Sequence, residues 1–129
     1  MVAWPLEKVT PSALVADDNQ AWREALQDVL AREGIRTVQA ECGEEAIEVV
    51  RAERIDIVLL DFHMPRLDGL QTLRIIRSEN HWTPAVMVTA EPEEVPREEA
   101  ESLHVWDVLP KSADRRAIVA TVVRVVWWR

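Results

Sequence analysis

The run Ile57-Val58-Leu59-Leu60-Asp61-Phe62-His63-Met64-Pro65-Arg66-Leu67-Asp68-Gly69 decides the fold. Four successive apolar residues read as a short strand buried on both faces, as in a parallel sheet covered by helices. The strand ends in a carboxylate. A turn-rich loop, with Pro65 and the Asp68-Gly69 pair, then leads into a segment of helical period. Asp68-Gly69 needs no chemistry, since that dipeptide makes a turn and caps a following helix.

Outward from this unit the same pattern recurs. Short β-branched or aliphatic runs alternate with longer segments of helical period, which predicts five βα units around a parallel sheet. The expected strands are 13–17, 37–41, 57–61, 85–89 and 105–109. A first helix follows Asp18 and Asn19, carries Trp22, Leu26, Val29 and Leu30 on one face, and stops at Gly34. A second, 44–53, buries Ala46, Ile47 and Val50, and a third, 70–77, buries Leu70, Leu73 and Ile76 or its neighbour. Pro92 and Pro96 leave room for only a short fourth helix, with Pro96 near its first turn. The acidic stretch 91–101 reads as a solvated face. The last segment, from Asp114 as N-cap to Trp128, is valine-rich, so propensity alone does not exclude a strand. The βα alternation favours a helix, with Ile118, Val122 and Val125 as its main stripe and Val119, Val123, Val126 and Trp127 extending beyond it.

A length of 129 residues fits one domain, with residues 1–11 as a leader in which Trp4 and Leu6 are available to pack back, and 12–129 as the domain proper. Hydrophobic residues at 48% are enough for a core, and charged residues at 29% enough for a solvated surface, so disorder is disfavoured. The net charge of −8 repels nucleic-acid phosphates and anionic lipid, which argues against direct DNA or membrane binding. A single cysteine, Cys42, excludes an internal disulfide. With no signal-peptide pattern and no apolar run of membrane-spanning length, a cytoplasmic protein is expected.

In a doubly wound sheet, ligands sit outside the carboxyl ends of the strands where strand order reverses, and Asp17, Asp18 and Asp61 occupy such ends. Three carboxylates in one crevice raise one another's pKa unless a cation is present. A hard cation is implied, and Mg²⁺ suits a few carboxylates that share it with water and phosphate oxygens.

The Asp17-Asp18 pair, the 61–69 loop, Thr89-Ala90 after the fourth strand and Lys111 after the fifth together resemble response-regulator receiver domains of the chemotaxis type. The resemblance covers roughly residues 12–128. It implies a flavodoxin-like, doubly wound five-stranded parallel sheet of order 2-1-3-4-5 with five helices. It further implies that Asp61 is the nucleophile that takes a phosphoryl group from a phosphohistidine on a histidine kinase or phosphotransfer protein. By the same resemblance Asp18, Asp61 and the backbone carbonyl of His63 hold Mg²⁺, with Asp17 close by or acting through water. Lys111 and Thr89 take phosphoryl oxygens. Such a domain is a signalling module rather than an enzyme, although it catalyses its own phosphorylation and dephosphorylation. His63 and Glu91 fall where the family tunes autodephosphorylation. The His63 side chain itself reads as incidental, and only its carbonyl is carried over.

Two positions depart from the family pattern. Val108 stands where many receivers have Tyr or Phe, with Trp106 two residues earlier expected on the same strand face. Ser112 follows Lys111 where the family often has a cis proline, and an ordinary residue there disfavours cis. The face formed by the fourth helix, fifth strand and fifth helix, which would include Trp106, is the expected surface for a homodimer or an output partner. A phosphohydrolase with an aspartyl nucleophile would want an acid two residues after Asp61, where His63 stands. The stronger alternative is a degenerate receiver acting as a phosphorylation-independent interaction module. The sequence fits a domain acting alone or within a longer regulator.

Overall fold

The computed structural model describes residues 10–128, with the side chain of Trp128 outside the description. The expected packing of Trp4 and Leu6 therefore lies outside the described residues. In chain order the elements are β1 (Ser12–Ala16), α1 (Gln20–Ala31), β2 (Arg36–Ala40), α2 (Gly43–Ala52), β3 (Ile57–Leu60), α3 (Gly69–Ser78), β4 (Ala85–Thr89), a 3-10 turn (Pro92–Glu94), α4 (Arg97–Ser102), β5 (Val105–Pro110) and α5 (Arg115–Trp128). The strands form one parallel sheet of order β2-β1-β3-β4-β5, the order expected.

Strand alternation divides the core into two layers. Leu14, Ala16, Val58, Leu60, Ala85 and Met87 face α2, α3 and α4, where Ile47, Val50, Leu73 and Ile76 pack against them. Ala13, Val15, Ile57, Leu59, Val86 and Val88 face α1 and α5. This explains why the valine-rich last segment is a helix. Ile118, Val122 and Val125 fall on one helical stripe and are fully buried, each contributing about 2 kcal/mol. Val119, Val123 and Val126 pack partly against the same layer, whereas Trp127 stays exposed.

The helix ends follow local chemistry. Gly34, at φ +74°, closes α1, with Ile35 N–H donating to Leu30 O and Gly34 N–H to Ala31 O. Asp68 caps α3 in a reciprocal capping box with Gln71. Asp114 accepts from the Arg116 N–H at the start of α5. Pro96 is the N-cap of α4, whose six residues are held by the buried Val95 and Ala100 while most of the acidic side chains face solvent.

Three details differ from expectation. On α1 the buried face is Arg23, Leu26 and Leu30, with Trp22 and Val29 only half-buried. Pro11, placed by sequence in the leader, is buried and accepts a hydrogen bond from Arg36 N–H at 2.9 Å. Trp106 does not share a regular face with Val108. The β4–β5 register pairs Ala85 with Val105 and then Val86 with Asp107, skipping Trp106. That bulge breaks the two-residue alternation, so Val108 packs against the core while Trp106 is 52% exposed.

Candidate functional site

Pairing of β1 with β3 sets Ala16 beside Leu60, so the next residues, Asp17 and Asp61, leave neighbouring strands at one edge of the sheet. This is where the chain's strand order reverses, and a crevice opens there. Asp17 and Asp61 are buried and Asp18 is exposed, yet one carboxylate oxygen of each lies within 4.8 Å of the others. On the far side of β3, pairing of Thr89 with Pro110 brings the ends of β4 and β5 together, and Lys111 N–H donates to Thr89 O at 2.8 Å. Lys111 Nζ then reaches Asp17 Oδ2 at 2.7 Å and Asp61 Oδ2 at 3.2 Å. It also lies 5.3 Å from the centre of the Trp22 ring. The Lys111–Ser112 peptide is trans.

Electrostatics in this crevice are unbalanced. Three carboxylates against one ammonium leave a formal −2. Burial pushes the Asp17 carboxyl above the usual carboxylate range, and the Asp61 charge adds to this, against hydrogen bonds from Lys111 and Asn19 N–H. Burial alone would lower the Lys111 ammonium, but Asp17 and Asp61 outweigh it and hold it above the ordinary lysine value. The donor set is hard oxygen, partly solvent-facing and short of positive charge, which fits a divalent cation such as Mg²⁺. The Thr89 hydroxyl is fully buried and has no hydrogen-bond partner among the described residues, as is true of the hydroxyl of Thr37 elsewhere. A buried hydroxyl left so costs about 1–3 kcal/mol, so the Thr89 side chain is suited to an incoming acceptor.

The loop that follows Asp61 is tightly made. His63 N–H donates to Asp61 Oδ1 at 3.2 Å, and Gly69 N–H to Phe62 O at 2.8 Å. A Cβ on Gly69 would stand 2.5 Å from the Asp61 carbonyl oxygen and 3.1 Å from its carbon. Gly69→Ala should improve helix propensity by about 1 kcal/mol. Because the obstacle is backbone, we expect instead a net loss of about 2–3 kcal/mol in denaturant unfolding. A raised midpoint would show that the loop has room.

The structure thus brings together five residues singled out from sequence: Asp17, Asp18, Asp61, Thr89 and Lys111. The His63 side chain is exposed, meets Glu94 Oε2 at 2.7 Å and packs edge-on against Phe62. Glu91 is also exposed, and the neighbouring Glu94 carboxyl raises its pKa above the usual range. Sequence reading missed Arg23, whose guanidinium donates to the Asp17 carbonyl at 2.7 Å. Its signal was available, because Arg23, Leu26 and Leu30 follow one helical stripe and a charge on a buried stripe calls for a partner.

The family model described as the response regulator receiver domain matches residues 13–123. The chain belongs to this family. Receiver domains are modules of two-component signalling rather than conventional enzymes, and they bind Mg²⁺ at an acidic pocket. This receiver domain is 35% identical over 109 residues to the transcriptional regulatory protein CpxR of Escherichia coli, a match covering 84% of the chain and 46% of CpxR. It is 33% identical over 82 residues to the autoinducer 1 sensor kinase/phosphatase LuxN of Vibrio harveyi, covering 64% of the chain and 10% of LuxN. The receiver domain thus spans less than half the length of these relatives. Among solved structures, Vibrio cholerae CheY4 aligns with TM-score 0.82 at 25% identity, over 91% of this chain and 99% of that one. The Thermotoga maritima regulator TrrA, solved in complex with Mg²⁺ and BeF, aligns with TM-score 0.79 at 29% identity, over 89% and 98%. Among the described residues, no helix is long and apolar enough to cross a membrane.

Proposed function

We propose that this receiver domain accepts a phosphoryl group on Asp61 from the phosphohistidine of a histidine kinase or phosphotransfer protein, in a Mg²⁺-dependent reaction. The observation that carries this reading is the convergence on Asp61. Its carboxylate lies in a cluster with Asp17 and Asp18, and Lys111 Nζ stands 3.2 Å from one of its oxygens. Asp18, Asp61 and the His63 carbonyl would hold the cation directly, with Asp17 beside it or bridged by water. When bound, the cation neutralises the excess negative charge and binds phosphoryl oxygens.

An Asp61 carboxylate oxygen forms the new bond to phosphorus as the P–N bond to the donor imidazole breaks, and the electron pair leaves with the imidazole. No general base is required, because Asp61 attacks as the carboxylate. Lys111, 3.2 Å from Asp61 Oδ2, holds that carboxylate in orientation, then pairs with a phosphoryl oxygen. Thr89 turns its unpartnered hydroxyl onto another. These new bonds favour one arrangement of the loops after β3, β4 and β5 and so shift the population of the distal face.

That output face is formed by α4, β5 and α5, and we assign it to a homodimer contact or an output partner. Trp106 and Asp107 are exposed there. Val108, in place of an aromatic, borders a groove of about 470 Å³ whose apolar lining includes Val95, Ala100 and Val105. The missing aromatic favours the second reading, an interaction module that works without phosphorylation. We place the domain in the cytoplasm, with no direct contact to nucleic acid or membrane.

Beryllium fluoride mimics a phosphoryl group and provides the test. We expect it to bind only in the presence of Mg²⁺ and to change Trp22 fluorescence, assigned by a Trp22→Phe control because the chain has six tryptophans. Mg²⁺ binding without any beryllium fluoride response would favour the interaction module.

A further inference from the structure

Arg23 is the buried charge that the proposed reaction leaves unused. Its residue exposure is 8%, and among the described residues no carboxylate lies within ion-pair distance of it. A buried guanidinium is costly unless its donors are occupied. Here NH1 donates to the Asp17 carbonyl oxygen at 2.7 Å, and Nε donates to Gln39 Oε1 at 2.9 Å. Gln39 Nε2 in turn donates to Gln27 Oε1 at 2.7 Å. The charge is therefore satisfied by neutral oxygens only, one of them on the backbone of the acidic pocket.

The position of that carbonyl matters. It belongs to the peptide that joins Asp17 to Asp18, so its orientation fixes the direction in which the chain leaves one carboxylate and enters the next. The following turn is pinned as well. Asn19 N–H donates to Asp17 Oδ1 at 2.9 Å, and the Asn19 side chain caps α1 by accepting from Trp22 N–H at 3.0 Å. Arg23 N–H closes the first helical bond to Asn19 O. The exposed Asp18 has no hydrogen bond of its own among the described residues that would set its direction, so the backbone on either side must supply it.

We infer that Arg23 is a positioning residue of the acidic pocket, its guanidinium holding the Asp17 carbonyl so that Asp17 and Asp18 present their carboxylates together to a divalent cation. This rests on the reading of that pocket as a Mg²⁺ site. Two effects of the side chain oppose each other. Its charge near the cluster repels a cation, while its hydrogen bond preorganises the carboxylates. Groups that orient metal ligands typically change affinity by about 10–100-fold, and the low-dielectric hydrogen bond is short, so positioning prevails.

The test is Mg²⁺ binding by calorimetry on the whole chain, alongside denaturant unfolding in chelator. Arg23→Met should weaken Mg²⁺ binding about tenfold, whereas Arg23→Lys, which keeps a donor for the carbonyl, should recover most of it. Gln39→Leu breaks the tie between α1 and β2 without touching the Asp17 carbonyl, and should keep wild-type affinity whatever it does to stability. If Arg23→Met fails to fold, Arg23→Leu, which likewise offers the carbonyl no donor, takes its place with the same expected loss. With a small phosphodonor, the Mg²⁺ requirement should rise in proportion while the rate at saturating Mg²⁺ stays near wild type. Lower stability with unchanged affinity would reduce Arg23 to a structural fastener and overturn the inference. Tighter binding would overturn it too, by showing that charge repulsion dominates. A wild-type chain that binds no Mg²⁺ would instead overturn the pocket assignment, and this inference with it.

Discussion

Asp61→Asn is expected to abolish phosphoryl transfer from acetyl phosphate and to leave the fold intact. Asn keeps the size of the side chain and one oxygen to accept from His63 N–H. It removes the nucleophilic carboxylate and one of three crowded negative charges. The effect on stability has a definite sign. Burial, with the Asp61 charge adding to it, raises the Asp17 pKa, so ionised Asp17 is a cost at neutral pH. Neutralising residue 61 relieves part of that cost while Lys111 retains Asp17 at 2.7 Å. In chelator, Asp61→Asn should therefore unfold at the same denaturant concentration as wild type or higher. Added Mg²⁺ should stabilise it less than wild type, because one ligand charge is gone. A variant that still gains a phosphoryl group would place the nucleophile elsewhere.

Lys111→Ala has the second largest expected effect, and its stability change is opposite in sign. Lys111 is mostly buried, and it supplies the only cation paired with Asp17 or Asp61 among the described residues. Removing it leaves two buried carboxylates facing one another, and breaking such a pair costs about 3 kcal/mol. That loss should be largest in chelator and partly restored by Mg²⁺, since a cation then has no ammonium to compete with. Phosphoryl transfer should slow by about 10²–10³ even at saturating Mg²⁺, the usual result of deleting one preorganised donor at a developing charge. Denaturant unfolding with and without Mg²⁺, and initial rates by intact mass, separate these effects. Equal destabilisation in both conditions would mean that Lys111 acts only in packing.

Much of this was legible in the residues themselves. Ile57 to Asp61 announced a buried parallel strand ending in a carboxylate, and Gly34, Asp68-Gly69 and Asp114 marked helix ends that the structure keeps. Asp17, Asp18 and Asp61 were legible because they lie at strand ends, which a parallel sheet gathers at one edge, whereas Thr89 and Lys111 entered through the family resemblance. Other features depend on what is not local. The Trp106 bulge arises from the register between β4 and β5, so period-two alternation could not reveal it. Arg23 shares a helical stripe with Leu26 and Leu30, but only the packing of α1 over the end of β1 shows that its guanidinium goes to the Asp17 carbonyl. The hydrogen bond between His63 Nε2 and Glu94 Oε2 joins the loop after β3 to the 3-10 turn 31 residues on, a pairing that neither segment shows by itself. Gly69 was understood as a turn residue, whereas its tightest constraint is the Asp61 carbonyl behind it.

The most direct test of phosphoryl acceptance is the intact mass of the wild-type chain incubated with acetyl phosphate, with and without Mg²⁺, followed by peptide mapping. The predicted result is a single phosphoryl addition that requires Mg²⁺ and maps to Asp61. No addition to a folded, Mg²⁺-bound chain, or addition at any other residue, would contradict the account.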